Sequence, residues 1–128
     1  MRNRRLIILP LLIALLSITL AGCSNLNTFK IIQTSDLQKM LTSGTKFTLV
    51  DVREADTYSR GHIAGAINMP ASQFEDTYKQ LKPDSKIVLI CYTGDTSKSA
   101  AQFLLQQGYK DVSSVAGGMG AWSGPVVK

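Results

Sequence analysis

Residues 86–108, KIVLICYTGDTSKSAAQFLLQQG, run from an apolar stretch through a polar turn into an amphipathic stretch without a gap, and few folds accommodate that order. Ile87, Val88, Leu89 and Ile90 are consecutive and apolar, the pattern of a strand buried on both faces, as in parallel sheets covered by helices. Ala100, Ala101, Leu104 and Leu105 recur at i, i+1, i+4 and i+5, which predicts a helix capped at its start by Thr96 or Ser97 and closed by Gly108. Cys91 falls between the two, at the C-terminal end of the strand, where open α/β sheets bind their ligands.

A thiol at that place has particular chemistry. Backbone amides of residues 92–97 can turn inward as a nest, and the helix adds partial positive charge at the same point, so the turn suits an anion. A free thiol ionises near pH ~8.5 and a helix N-terminus lowers that to roughly 3.5–7.5, which makes Cys91 a candidate thiolate nucleophile. The competing reading is a buried, inert cysteine, common for this residue type. A polar turn containing Gly94 and Asp95 weighs against it.

The chain opens with Arg2, Arg4 and Arg5, and residues 6–21 are then apolar apart from Pro10, Ser17 and Thr19. These are the parts of a secretory signal peptide, and the run is shorter than the ~20 residues of a membrane span. Leu20-Ala21-Gly22-Cys23 resembles the lipobox of bacterial lipoproteins, in which the cysteine is lipidated and becomes the mature first residue. That resemblance assigns residues 1–22 to a lipoprotein signal peptide and residues 23–29 to the lipidated Cys23 with a short tether. Ser24 stands where an Asp signals inner-membrane retention in many Gram-negative bacteria, which favours the outer membrane. The implied location is the cell envelope, lipid-anchored on the periplasmic side; an uncleaved anchor is the alternative.

Removing residues 1–22 takes away three of the 14 basic residues and none of the nine acidic ones, so the net charge falls from +5 to +2. The basicity is mostly targeting signal, and the remaining charges form no stripe of the kind that holds nucleic acid. With Cys23 lipidated, Cys91 is the one thiol left in the mature chain, which therefore forms no internal disulfide. A lone cysteine at a helix start in an oxidising compartment points to reactivity.

Taken in order, residues 29–32 read as a first strand, and Ser35-Asp36-Leu37-Gln38 as a capping box opening a helix that Gly44 stops. Residues 47–50 read as a central strand ending at Asp51-Val52-Arg53, residues 54–60 as a polar helix ended by Gly61, and residues 66–68 as a short strand. Ser72-Gln73-Phe74-Glu75 reads as a second capping box whose helix buries Phe74, Tyr78 and Leu81; residues 112–115 make a last strand before a final helical turn in AGGMGAW. Strands alternating with helices at this spacing predict an α/β fold with a mainly parallel sheet in one domain over residues 30–128.

Four segments, DVRE at 51–54, GHIAGAINMP at 61–70, ICYTGDTSKSAAQFLLQQGY at 90–109 and GGMGAW at 117–122, together resemble the single-domain rhodaneses, the thiosulfate sulfurtransferases. The resemblance implies an open five-stranded parallel sheet with helices on both faces. It also implies Cys91 as the carrier of a persulfide and Tyr92, Thr93, Gly94, Asp95, Thr96 and Ser97 as the cradle that binds the substrate. Many rhodaneses have Arg where this chain has Thr96; the loop is more similar to short bacterial sulfurtransferases with Cys-Tyr-x-Gly-x-Ser-Ser. Asp95 adds a negative charge and Lys98 is the near cation, so thiosulfate should bind weakly and a persulfide or polysulfide donor gains weight. A cysteine phosphatase needs Arg at the position of Ser97, and no Arg follows Cys91, which weighs against that chemistry.

Asp51 and Arg53 stand at the C-terminal edge of the central strand and either shape the pocket or pair with each other. His62, the single histidine, reads as a turn residue, and no metal or other cofactor is expected. Trp122 reads as a cap on the core. The expected activity is ping-pong transfer of sulfane sulfur from a small anionic donor through Cys91 to cyanide, a small thiol or an unidentified protein cysteine. The alternative is a non-catalytic binding module on the same fold, disfavoured because Cys91 and Gly94 are both present.

Overall fold

Four consecutive apolar residues form β4, Ile87–Ile90, the middle strand of a five-stranded sheet in the computed structural model, which describes residues 27–128. The readings of residues 1–22 and of Cys23 lie outside the described residues. Around β4 the order is β1 (Lys30–Ile32), β5 (Val112–Val115), β4, β2 (Thr48–Asp51) and β3 (Ile67–Asn68). Every neighbouring pair is parallel, with Val50 opposite Leu89 and Leu89 opposite Ser114. Parallel neighbours require crossovers, and the intervening segments supply α1 (Thr34–Thr42), α2 (Ala55–Arg60), α3 (Phe74–Thr77) and α4 (Asp95–Gln106), while α5 (Gly118–Ala121) follows β5.

Because side chains alternate across a strand, β4 feeds two cores. Ile87 and Leu89 pack with Phe74 of α3 and with Ala101 and Leu104 of α4, while Val88 and Ile90 face Leu37 of α1. The half-buried Met119 and Trp122 close the second core. All four β4 residues are fully buried, and each such aliphatic side chain contributes about 1.5–3 kcal/mol on burial. The fold is thus the expected open α/β sheet with helices on both faces, and the stripe Ala100, Ala101, Leu104, Leu105 is buried as its spacing predicts.

Both expected capping boxes are corrected. Helix α1 begins at Thr34, and the Asp36 carboxylate accepts the Gln33 N–H at 3.0 Å, so the cap lies two residues before Ser35. Ser72 caps nothing: its hydroxyl donates to Glu54 Oε2 at 2.9 Å, across the turn that follows β2. Without that cap, residues 71–80 break into a 3₁₀ turn, the one-turn helix α3 and a second 3₁₀ turn; Phe74 within them and Leu81 just after them are buried, and Tyr78 only partly so. Among the described residues no helix is long and apolar enough to cross a membrane.

Candidate active site

Parallel strands bring the C-terminal ends of β2 and β4 to one edge, and Cys91 is the first residue beyond β4. The thiol is 3 % exposed. The chain next turns through Gly94, whose φ of 105° lies in the left-handed region where a side chain is strained, and α4 starts at Asp95. Gly94 is therefore the N-cap in place of the expected Thr96 or Ser97. Its N–H donates to Cys91 Sγ, 3.0 Å away. Ser97 does not cap the helix because its hydroxyl is turned inward: fully buried, it lies 3.1 Å from Gly94 O and 3.5 Å from Cys91 Sγ.

These contacts set the thiol's acidity. Burial pushes it up, because the charged form loses water, but the Ser97 hydroxyl and the amides of Ser97, Gly94 and Thr93 outweigh that and hold the thiol below its ordinary value. Of the amides expected to form a nest over residues 92–97, those of Thr93, Gly94 and Ser97 favour the ionised sulfur.

The loop's carbonyls are tied elsewhere. The N–H groups of Met119 and Gly120, in α5, donate to Cys91 O at 2.7 Å and to Tyr92 O at 2.8 Å. A Cβ on Gly118 would overlap Cys91 O and Tyr92 O, so only glycine lets the two backbones approach this closely. The glycines of GGMG brace the thiol loop from behind.

In front of the sulfur lies a cleft of about 380 Å³. Cys91, Tyr92 and Thr96 form one wall; Val52, Arg53, Glu54, Thr57 and Ala71 form the other. Tyr92 stands exposed at the rim. Arg53 reaches the cleft, but its Nε donates to Asp51 Oδ1 at 3.0 Å and its Nη2 to Asp51 Oδ2 at 2.7 Å and to Gly61 O at 2.8 Å. Asp51 is fully buried behind it and does not line the cleft. The pair staples β2 to the GHIAGA turn, and its charge is largely spent internally. Lys98 Nζ lies 3.8 Å from Asp95 Oδ1 on the exposed side of α4, away from the cleft lining. His62 stacks on Tyr58 with ring centroids 3.7 Å apart and pairs through its backbone with Val127.

Val52, Glu54, Thr57 and Ala71 in the cleft, and Ser114 beneath the loop, are the residues the sequence did not single out for the site. Glu54 stood in plain sight at the end of DVRE, but its link to Ser72 spans 18 positions. Ser114 lies under the loop, with its Oγ 2.8 Å from Ser97 Oγ.

The profile of the rhodanese-like domain matches residues 33–125. The chain belongs to the rhodanese-like family. It is 35 % identical over 97 residues to the thiosulfate sulfurtransferase GlpE of Shewanella oneidensis, a match covering 76 % of this chain and 95 % of that one. The crystal structure of a rhodanese-related protein from Thermoplasma volcanium superposes with a TM-score of 0.69 at 35 % identity, covering 77 % of this chain and 98 % of its own. A rhodanese-like domain protein from Staphylococcus aureus superposes with a TM-score of 0.70 at 27 % identity, over 74 % and 92 % of the two chains. Membership in the rhodanese family supports sulfurtransferase chemistry at the level of the family.

Proposed function

We propose that this rhodanese moves sulfane sulfur through a persulfide on Cys91. The observation that carries the proposal is the Gly94 amide 3.0 Å from Cys91 Sγ, with the Ser97 hydroxyl beside it, on the floor of an open cleft. In the first half-reaction the thiolate attacks the outer sulfur of the donor. The Sγ–S bond forms as the donor's S–S bond breaks, and sulfite leaves from thiosulfate, or a thiolate from a persulfide. In the second half-reaction cyanide or a thiol takes that sulfur, and the electron pair of the broken bond returns to Cys91. Charge and atoms balance in both halves without a redox partner, and the donors around the sulfur hold negative charge throughout.

The cleft also bears on the donor. Thr96 lines it where a guanidinium would grip a dianion, and Arg53 is already held by Asp51. A persulfide or polysulfide is therefore the better-matched donor, with thiosulfate bound weakly. We further propose that Cys23 carries lipid, holding the domain at the periplasmic face of the envelope, on the outer membrane in a Gram-negative cell. The support is the order of basic start, apolar run and LAGC.

The test is intact mass after incubation with a sulfane-sulfur donor. One extra sulfur should appear on Cys91, should be removed by cyanide or a thiol, and should be absent in Cys91→Ser. Failure of the wild type to gain sulfur from thiosulfate, a persulfide or a polysulfide would leave only a rhodanese fold used for binding.

A further inference from the structure

Ser114 is fully buried on β5, opposite Leu89 and on the same face as Val112, which packs among Ala101 and Leu104. Strand alternation there asks for an apolar side chain. The hydroxyl has one hydrogen-bond partner among the described residues, Ser97 Oγ at 2.8 Å. Ser97 Oγ in turn lies 3.1 Å from Gly94 O and 3.5 Å from Cys91 Sγ. Two hydroxyl protons and one thiol proton must be distributed over these atoms.

The distribution follows from what is buried. A hydroxyl gives one proton and accepts two. If Ser97 donated to Ser114, the Ser114 proton would be left in the core without an acceptor, which proteins avoid. Ser114 therefore donates to Ser97. With the thiol neutral, S–H points at Ser97 Oγ and the Ser97 proton goes to Gly94 O. When the thiol ionises, the Ser97 proton can swing to sulfur, and Gly94 O is not abandoned because it also accepts the Lys98 N–H at 3.2 Å.

We propose that Ser114 is a positioning residue: the O–H it donates to Ser97 Oγ orients and polarises the Ser97 hydroxyl, so that Ser97 is a better donor to the Cys91 sulfur than it would be alone. It touches no substrate and acts through Ser97 alone. The inference rests on Cys91 being the reacting atom, as the proposed function has it.

The experiment follows alkylation of Cys91 by iodoacetamide against pH on the full chain, read on the Cys91 peptide so that Cys23 does not interfere. Ser114→Ala and Ser114→Val should alkylate roughly three- to tenfold more slowly at neutral pH, with the ionisation moved alkaline, since one pKa unit is a tenfold change in thiolate fraction. Ser114→Thr, which matches Val in shape but keeps a hydroxyl, should stay near wild type. In a Ser97→Ala background, Ser114→Ala should add nothing. Arg53 and Glu54 from the β2 side, Asp51 behind Arg53, and Asp95 and Lys98 on α4 are the charged groups around the sulfur; they are unchanged in every variant, and β5 and α5 carry none. Equal profiles for the Thr and Val variants, or additive effects of Ser97→Ala and Ser114→Ala, would overturn the proposal. Alkylation needs no turnover, so a Cys91 that follows these profiles yet never takes up sulfur would refute sulfur transfer and leave the role of Ser114 standing.

Discussion

At Cys91 two effects oppose each other: loss of water disfavours the thiolate, and the donors of Ser97, Gly94 and Thr93 favour it and win. Alkylation of the wild type should accordingly titrate below the free-thiol value of ~8.5. The same shift enters folding, with a definite sign. A depressed folded pKa means that the thiolate's stabilisation is complete above the unfolded value of about 8.5 and is lost as pH falls through the folded one. The stability gap between wild type and Cys91→Ser, measured by urea unfolding, should shrink on going from pH 9 towards pH 6. Thr96 is the second residue with a distinct expectation. Thr96→Arg places a guanidinium on the cleft wall, and a charged hydrogen bond of ~1.5–3 kcal/mol should lower the thiosulfate KM by on the order of tenfold while changing kcat less. An unchanged KM would mean that the anion is gripped elsewhere. Cys91 and its loop were legible because their geometry is local, set by a strand end and a glycine three positions on. Ser114 was not, because its partner lies 17 positions away and VSSV reads only as a strand.

Among the elements, β4 and α4 could be read almost to the residue, since four buried apolar residues and a helical stripe each carry a period of their own. The helix starts were read less well. Side-chain caps compete with other acceptors: Asp36 serves Gln33, Glu54 draws Ser72 away, and Gly94 displaces Thr96 and Ser97. Leu104→Ala, in the centre of the α4 stripe, should cost about 2–5 kcal/mol in urea unfolding while activity per folded molecule holds, because it opens a cavity away from the sulfur. Gly118→Ala should behave in the opposite way. A methyl there meets backbone carbonyls of residues 91 and 92, which have no flexible end to yield. The thiol loop must shift, so sulfur transfer should fall at least tenfold, with only a modest loss in melting temperature; wild-type turnover in that variant would show that α5 does not hold the loop.

Seen whole, the molecule has its chemistry at one edge of the sheet and its entry at the other. All five strands point the same way, so the C-terminal ends of β2 and β4 frame the cleft, and the chain enters β1 at Lys30 on the far side. Labelled palmitate should enter the wild type and not Cys23→Ala, and equal labelling would remove the lipid from this picture. The four-residue strands β2 and β4 set a height of roughly 13 Å between the two edges, at about 3.3 Å per residue. A molecule held by its lower rim would present its reactive sulfur upward, to whatever diffuses in from the aqueous side. On that geometry a soluble acceptor would reach the sulfur without touching the bilayer, through the cleft beside which Tyr92 stands exposed.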